Sequence, residues 1–433
     1  MDLSTRPLSG MRQLYPADMR IENCIVEKIR LAGAAYGFEE YDAPTLEPVE
    51  LFLAKSGSEL VLEQSYRFTD RGGRNLVMRP ELTPSLARMI ASGQDIAVPV
   101  RWMSFPICFR YERPQRGRVR EFRQFNCDIL GVRDESADVE VILVLDRIVR
   151  SFGACEGTWA IRLSNRELAS ELLAALGVPA SSHQDAFAVI DRKSKLPPEE
   201  WSAWGVEKLG TGFGAVERLT ECTGLDDPIL DSMLGASRSL GSMRALVGTL
   251  REAGLSSVTF DPCIVRGLDY YTGTVFELTD TGGANRRAIC GGGRYDNLVG
   301  LFGGRPMTGV GFGLGILTLR LFLETYGLLP AELSSRRPPD VYVAVFSPAE
   351  RDTAFRAAEV MRSSGLTVEM DLECRSLGRQ FGTASKIGAR FVAVIGPQEV
   401  SSGSVSLRDM RTAVQRTMST AEAVRAIESG NAD

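Results

Sequence analysis

The chain has 433 residues, of which 44% are hydrophobic and 24% are charged, as in a globular protein of two or three domains. Its net charge of −5 argues against a dedicated nucleic-acid binder but is compatible with a local basic site. No stretch approaches the roughly 18 uninterrupted apolar residues of a membrane span, and the first residues lack an apolar signal-peptide core. We therefore expect a cytoplasmic protein without a membrane partner.

The N-terminal part of the chain shows alternating helix and strand patterns. Apolar residues at helical spacing predict a helix over 18–36, followed by a short strand that Pro44 ends. A second strand is predicted at 77–79. The stretch 83–92 predicts a helix with Thr83 as its N-cap.

Two strands that flank a basic loop predict a long hairpin over 99–132, followed by a helix over 138–153. The loop and the start of its second strand are rich in guanidinium groups: Arg110, Arg113, Arg116, Arg118, Arg120 and Arg123. Such a concentration in an acidic protein points either to a local anion-binding site or to a solvated, salt-bridged surface.

The rest of the chain changes character twice. Polar helical segments over 160–255 predict an inserted helical subdomain, and strand and glycine signals return at 264–315. The polar, proline-rich stretch 334–340 predicts a linker. The alternation of strands and helices that follows predicts a small α/β domain. The predicted domains are therefore 1–159 continued by 256–333, the insertion 160–255, and a C-terminal domain 340–433.

Strand periodicity separates the polar and apolar residues of the hairpin. Alternation places Gln124 and Asp128 on one face, and the apolar residues between and after them on the other. Arg110 and Glu112 share a face of the incoming strand. If one side of this sheet is buried, the four polar residues form a floor that could hold a polyphosphate and a polar small molecule. The alternative is a solvated hairpin.

Three further stretches are candidates for a site. The segment 266–278 places Tyr270 and Tyr271 after an arginine, where they could wall a pocket or lie in a core strand. Glycine runs at 291–293 and 309–315 permit close backbone approach, but match neither the P-loop nor the dinucleotide fingerprint. Glu81 precedes a predicted helix and could bind a ligand or remain solvated.

Cysteine and histidine usage limits the chemistry. The eight cysteines occur singly, without a CxxC pair, which is unfavourable for a disulfide framework. His183 is the only histidine, lies in a turn-like stretch and is expected at the surface. We therefore expect no structural zinc and no histidine-based hydrolase triad.

The order of these stretches resembles histidyl-tRNA synthetases, a family of class II aminoacyl-tRNA synthetases, over nearly the whole chain. The stretch 37–52 resembles class II motif 1, with Pro44 at a dimer interface, and 109–125 resembles motif 2. The stretches "RGLDYYTGTVFE" and "CGGGRYDNL" resemble the histidine-specific signature. The resemblance implies an α+β fold with an antiparallel-sheet catalytic domain, a helical insertion and a C-terminal α/β anticodon-binding domain.

The resemblance also implies activity and partners. It implies activation of L-histidine with ATP, with Mg²⁺ accompanying ATP as substrate, followed by transfer to tRNA-His by a homodimer that uses no zinc and no organic cofactor. The implied ATP-binding residues are Arg110, Glu112, Arg118 and Phe122. The implied histidine-binding residues are Glu81, Thr83, Arg110, Gln124, Asp128, Arg266, Tyr270, Tyr271 and Tyr295.

Individual roles follow from the same resemblance. Arg110 and Arg266 would act on the α-phosphate, and Gln115 would approach the acceptor end of the tRNA. Asp128 and Tyr271 would hydrogen-bond the two imidazole nitrogens. An isostere that lacks one nitrogen would then leave a buried polar group unpaired, which costs roughly 1–3 kcal/mol.

One position departs from the family pattern. Class II motif 3 normally ends in an arginine that contacts the γ-phosphate, and Thr318 occupies that position here. Arg320 lies two residues further on, about 200° around a helix, and would face away. Arg123, where the family often has His or Tyr, is a smaller departure.

Two readings compete with an active synthetase. A non-charging paralogue could serve as a histidine-binding regulatory subunit of histidine biosynthesis, but such paralogues generally lack the C-terminal domain. A protein that only binds RNA through its C-terminal domain would not explain the set of histidine-pocket residues.

Overall fold

The computed structural model describes residues 5–53, 63–93, 95–193, 195–265, 270–285 and 287–430. The chain divides into two compact units, residues 1–329 and 330–433, each with an apolar core of its own. Within the described ranges, no helix is both long enough and apolar enough to cross a bilayer.

The described strands of the first unit are β1 Glu39–Glu40, β2 Leu46–Pro48, β3 Tyr66–Thr69, β4 Asn75–Met78, β5 Val100–Ser104, β6 Ile107–Phe109, β7 Glu121–Leu130, β8 Trp159–Asn165, β9 Val258–Phe260, β10 Thr274–Asp280, β11 Cys290–Arg294 and β12 Gly309–Gly315. Its described α-helices are Pro16–Ala34, Glu50–Leu53, Thr83–Ser92, Ser136–Ser151, Arg166–Ala175, His183–Arg192, Pro198–Leu209, Phe213–Thr220, Pro228–Leu234, Arg238–Glu252 and Ile316–Thr325.

A nine-stranded sheet organises this unit. Its strands run in the order β1-β5-β7-β12-β11-β10-β8-β9, and β6 also pairs with β7. All pairs are antiparallel except β1 with β5 and β8 with β9. A separate three-stranded sheet has the order β2-β4-β3. The prediction of a mainly antiparallel sheet is therefore confirmed.

The predicted hairpin over 99–132 is present, with β5 and β6 as its incoming strand and β7 as its outgoing strand. Both parts of the incoming strand keep one register against β7, since Ser104 pairs with Asn126 and Ile107 with Arg123. Pro106 separates them because a proline has no amide hydrogen to donate to the ladder.

The predicted alternation along β7 is also confirmed. Phe125, Cys127 and Ile129 are at most 1% exposed and lie in the main apolar core, to which helices 16–34 and 136–151 contribute. Asp128 lies on the opposite face and is buried as well. One face of β7 therefore serves the core, and the other lines the candidate site.

The helical segment begins later than predicted. β8 belongs to the main sheet, so the predicted boundary between 159 and 160 lies inside a strand, and the first helix of the segment starts at Arg166. His183 was expected in a turn but starts a helix, because Ala186, Val189 and Ile190 bury one helical face. It is half-buried, and its Nε2 lies 3.1 Å from the Val178 carbonyl oxygen.

The second unit is the predicted small α/β domain. Its described strands are β13 Val341–Val345, β14 Val368–Met370, β15 Phe391–Ile395, β16 Val405–Asp409 and β17 Gln415–Met418, in the order β14-β13-β15-β16-β17. Its described α-helices are Arg351–Ser363, Leu377–Lys386, Pro397–Ser402 and Thr420–Ser429. Helix 397–402 and β17 were not predicted, because both are short and mostly polar, without a clear hydrophobic period.

Candidate active site

The candidate site lies over a row of glycines in β12. Alternation places Gly309, Gly311 and Gly313 on the face that carries Asp128, and Gly311 pairs directly with Asp128 in β7. A Cβ atom at Gly309 would lie 2.5 Å from the Tyr295 ring, and Cβ atoms at the other two would collide with the Asp128 carboxylate and the Gln124 amide. The glycines therefore make room for polar side chains above the sheet.

Asp128 is the acid at the base of this pocket. It is 2% exposed, and the Tyr295 hydroxyl donates a 2.6 Å hydrogen bond to its Oδ1. Its Oδ2 is buried and has no hydrogen-bond partner among the described residues. Burial raises the pKa of Asp128 to about 7; the Tyr295 hydrogen bond opposes this shift, and the charge of Glu81 adds to it. A buried acid with an unused oxygen suits a polar ligand group.

Glu81 and Tyr270 form the second polar pair of the pocket. The Tyr270 hydroxyl donates to Glu81 Oε2 at 2.8 Å, and both residues are buried. Burial, followed by the charge of Glu81, raises the pKa of Tyr270 well above its ordinary value, so the phenol stays protonated. Thr83 is buried beside them. It is the first residue of its helix, whereas Leu82 is the N-cap that was predicted at Thr83.

Aromatic contacts connect the two pairs. The Tyr270 ring lies 5.0 Å from Tyr271 and 5.9 Å from Tyr295, measured between centroids. A Cβ atom at Gly293 would lie 2.8 Å from Tyr271 Cδ1, so a glycine also admits this ring. The structure thus gathers six predicted histidine-binding residues into one buried cluster: Glu81, Thr83, Asp128, Tyr270, Tyr271 and Tyr295.

Gln124 lies at the edge of this cluster. It is half-buried, and its Nε2 donates to Asn126 Oδ1 at 2.9 Å, which fixes the amide over Gly313. Alternation predicts Asn126 on the same strand face as Gln124 and Asp128, but the sequence assigned it no role in the site.

The predicted ATP-binding residues lie along the basic hairpin. Arg110 donates from Nε to the Pro80 carbonyl oxygen at 3.0 Å, and its guanidinium carbon lies 5.4 Å from the centroid of the Phe122 ring. Glu112 forms an ion pair with Arg118 across the hairpin. Phe122 is half-buried. These four residues present two guanidinium groups and an aromatic ring, and the bond from Arg110 to Pro80 connects them to the segment that carries Glu81.

The tip of the hairpin is a tight turn. Gln115 and Arg118 exchange two backbone hydrogen bonds of 3.0 and 2.9 Å, and Gly117 has a φ of +74°, which favours glycine. Gln115 is exposed at this tip. Its side chain is therefore accessible to a macromolecule.

The other arginines of the stretch have different surroundings. Arg113 and Arg116 are exposed. Arg120 donates to the carbonyl oxygens of Glu112 and Ser9 and lies over the Tyr111 ring, so it anchors the N-terminal segment. Arg123 lies 3.5 Å from buried Glu22. Only part of the predicted cluster can therefore serve a phosphate site.

Two predicted features concern arginines outside the hairpin. Arg266 lies outside the described residues. Arg320 pairs with Asp18 at 3.1 Å and Glu324 at 2.7 Å, away from the site, as its helical position predicts. The Thr318 hydroxyl donates instead to the carbonyl oxygens of Ile289 and Gly315.

Sequence reasoning missed three residues around the site. Tyr41 has a buried hydroxyl without a hydrogen-bond partner among the described residues, and its ring lies 5.3 Å from Trp102. Arg287 lies beside the hairpin tip. Arg294 forms a buried ion pair with Asp138 directly before Tyr295. None of them has a local sequence signal, because each owes its surroundings to residues that are distant in the chain.

Side chains of the metal-ligating types are dispersed in the part of the chain that the structure describes. No group of three His, Cys, Asp or Glu side chains there lies close enough together to hold a metal ion. The described residues of the candidate site contribute mainly carboxylates, phenols and guanidinium groups.

Two family models match the chain. The model described as histidyl-tRNA synthetase matches residues 10–319, and the anticodon binding domain model matches residues 340–429. The histidine–tRNA ligase of Leptospira biflexa is 36% identical over 434 residues, which cover 98% of each chain.

Solved structures agree with these matches. The histidyl-tRNA synthetase of Nostoc is similar with a TM-score of 0.76 and 26% identity, over 99% of this chain and 100% of that one. A chain from Bacillus halodurans, titled both ATP phosphoribosyltransferase regulatory subunit and histidyl-tRNA synthetase, has a TM-score of 0.70 and 24% identity, over 86% of this chain and 93% of that one. The second likeness shows the fold alone.

Proposed function

Because the chain belongs to the histidyl-tRNA synthetase family, we propose that it is a histidine–tRNA ligase, which activates L-histidine with ATP and transfers it to tRNA-His. In the first step, a carboxylate oxygen of histidine attacks the α-phosphorus of ATP, which forms histidyl-adenylate and releases pyrophosphate. In the second step, a 3′-terminal ribose hydroxyl of the tRNA attacks the adenylate carbonyl carbon, and AMP leaves. Mg²⁺ accompanies ATP as part of the substrate.

The observation that carries this proposal is that one hairpin contributes residues both to a buried polar pocket and to a group of arginines. Asp128 on β7 belongs to a buried pocket with three tyrosines, and Arg110 lies where the paired strands of the same hairpin pass into its loop, with its backbone amide donating to the Arg120 carbonyl oxygen. The pocket suits a small polar cation, because two carboxylates, Glu81 and Asp128, lie in it. The guanidinium groups suit the phosphates of a nucleotide.

The residues divide accordingly. Glu81, Thr83 and Gln124 bind the α-ammonium and carboxylate groups of histidine, and Asp128 and Tyr271 bind the imidazole. The buried Oδ2 of Asp128, which has no partner within the described ranges, supports the imidazole role. Tyr270 and Tyr295 orient the two carboxylates through hydrogen bonds and close the pocket.

The phosphate side stabilises charge rather than transferring protons. Arg110 and Arg266 act on the α-phosphate, where negative charge develops during both steps. Arg118 and Glu112 bind the outer phosphates and the nucleotide, and Phe122 stacks on adenine. Gln115 reaches the acceptor end of the tRNA, and its exposure at the hairpin tip supports this role.

We further propose a cytoplasmic homodimer. Leu46 and Phe68 are 46% exposed on the small three-stranded sheet, which follows Pro44 in the chain. Exposed apolar side chains of this kind favour a protein interface. Analytical ultracentrifugation of the full chain tests the dimer, and a monomer at micromolar concentration would contradict it.

A histidine-binding regulatory subunit is the second candidate, which the threonine at position 318 favours. The match of residues 340–429 to an anticodon-binding model argues against it, since such a subunit has no need of that domain.

Pyrophosphate exchange distinguishes the two candidates. Purified full-length protein with Mg²⁺, ATP, histidine and labelled pyrophosphate should incorporate label into ATP, and omission of histidine should abolish the signal. Charging of a tRNA-His transcript should follow the same dependence. A protein that binds histidine but shows no exchange would reject the ligase in favour of the regulatory subunit.

A further inference from the structure

Arg287 lies where helix 316–325, which carries Thr318, meets the tip of the hairpin. It belongs to the connection between β10 and β11, two residues before Ile289. The Ile289 carbonyl oxygen accepts from the Thr318 hydroxyl at 3.1 Å and from the Gly315 amide at 3.2 Å. These two bonds hold the connection that carries Arg287 against the start of helix 316–325.

Gly117, at the hairpin tip, faces both the start of helix 316–325 and the connection that carries Arg287. A Cβ atom built there would lie 3.5 Å from Thr318 Cγ2, 3.6 Å from Leu321 Cδ1 and 3.9 Å from Arg287 Cδ. The stem of Arg287 and the side chain of Thr318 therefore approach the same point of the hairpin. Arg118 is the next residue after Gly117.

The charges around Arg287 are unbalanced. Arg287 is half-buried, and its guanidinium has no hydrogen bond or ion pair with any described residue. Burial and then the charge of Arg118 lower the pKa of Arg287, while Glu112 opposes this shift. Glu112, the carboxylate that faces both arginines, is already paired with Arg118. Two neighbouring guanidinium groups share one carboxylate, which leaves a net positive site.

We propose that Arg287 and Arg118 together bind the β- and γ-phosphates of ATP and the pyrophosphate that leaves, so that Arg287 supplies the cation that Thr318 cannot. This inference rests on the proposed function and adds a residue to its nucleotide site. A half-buried guanidinium that has no partner among the described residues is ready to form bidentate hydrogen bonds with phosphate oxygens. Arg320 cannot take this role, because Asp18 and Glu324 hold it on another face of the helix.

Arg287→Ala tests the proposal through the ligands that it should and should not affect. In pyrophosphate exchange, we expect the KM for ATP to rise about tenfold or more, as the loss of a charge-assisted hydrogen bond implies, and the KM for histidine to change little. In calorimetric titrations, binding of ATP and of pyrophosphate should weaken, while binding of AMP should stay within about twofold of the parent. The affinities of Arg287→Lys for ATP and pyrophosphate should lie between those of the parent and Arg287→Ala, because lysine keeps the positive charge but cannot form the bidentate hydrogen bonds of a guanidinium.

Arg320→Ala is the matched control, since it removes an arginine from the adjacent helix without affecting the proposed phosphate contacts. It should leave the KM for ATP unchanged. If Arg287→Ala does not fold, Arg287→Gln and Arg287→Lys provide the same comparison. An unchanged KM for ATP in a folded Arg287 variant, or equal weakening of ATP and AMP, overturns the proposal.

The two proposals fail separately. If the parent protein binds ATP and pyrophosphate through Arg287 but shows no histidine-dependent exchange, the proposed function fails and the phosphate site stands. If exchange is normal in both parent and Arg287→Ala, the ligase stands and the role of Arg287 is rejected.

Discussion

Gly311 lies directly opposite Asp128 in the antiparallel pair of β12 and β7, and any side chain at Gly311 would collide with the Asp128 carboxylate. The position of the acid therefore depends on a residue that carries no functional group. The relationship explains why a glycine-rich strand runs beneath a pocket of polar side chains.

Gly311→Ala should displace the Asp128 carboxylate and weaken histidine binding. We expect the KM for histidine in pyrophosphate exchange to rise at least about tenfold, with an overpacking cost of roughly 1–3 kcal/mol in the free energy of unfolding. Gly248→Ala is the matched control, because a Cβ atom there meets nothing within 4 Å inside a helix. That control should keep full activity; if Gly311→Ala does too, the glycine does not position the acid.

Asp128→Ala should remove discrimination for histidine while the fold persists. The loss of one buried hydrogen bond to the ligand predicts a rise of about 10- to 100-fold in the KM for histidine, with little change in the KM for ATP. Exchange assays with histidine and with analogues that lack one ring nitrogen provide the measurement. Asp185→Ala removes an exposed carboxylate of the same unit and should have no effect. A variant that still prefers histidine over these analogues would contradict the imidazole role.

The raised pKa of Asp128 predicts that the free energy of unfolding depends on pH. The folded state holds a proton up to a pKa of about 7, whereas the unfolded carboxyl releases it near 3.9. Stability of the ligand-free protein should therefore fall as pH rises from about 4 to about 7 and then level off. Asp128→Asn removes this contribution, so between pH 5 and 8 the parent should lose about 2–3 kcal/mol relative to the variant.

Denaturant unfolding of parent and Asp128→Asn at several pH values measures this difference. Asp185→Asn, at an exposed position, should follow the parent curve. If the free energies of unfolding of the parent and Asp128→Asn change in parallel between pH 5 and 8, the pKa of Asp128 is not raised in the folded state.

The buried ion pair of Arg294 and Asp138 predicts a large structural effect just outside the pocket. Asp138 is fully buried, and Arg294 also donates to the carbonyl oxygens of Val132 and Asp134 at 3.1 and 2.9 Å. Arg294→Met strands the carboxylate and should cost about 3–5 kcal/mol, whereas the double substitution with Asp138→Leu should recover much of that loss. Unfolding free energies of the two variants decide the point, and a single variant as stable as the parent would contradict it.

The sequence pointed to most of the residues that the structure gathers in the candidate pocket, partly through local strand patterns and partly through the family resemblance. Period-two alternation alone placed Gln124 and Asp128 on one face of β7 and Phe125 on the other, and the structure confirms both assignments. The resemblance to the family supplied Glu81 and the tyrosines, which the structure brings together.

The sequence was less informative about the arginines. By residue pattern alone the six arginines of the basic stretch looked equivalent, and only the family resemblance distinguished Arg110 and Arg118. In the structure, Arg120 anchors the N-terminal segment and Arg123 lies against Glu22. Their partners are distant in the chain, so no local pattern separates them from Arg110 and Arg118. Arg287 was not predicted as a site residue, because its neighbours Arg118 and Thr318 are also distant in the chain.

The sequence by itself determined the local properties of this protein: the strands and their faces, the hairpin, the glycine row and the family. The tertiary structure alone decided which of these meet, such as Gly311 beneath Asp128, Tyr295 on its carboxylate, and Arg287 beside Arg118. Alternation follows from backbone geometry within one strand. Contacts between strands instead depend on the order and register of the whole sheet. Both are determined by which residues the sheet buries on its two faces.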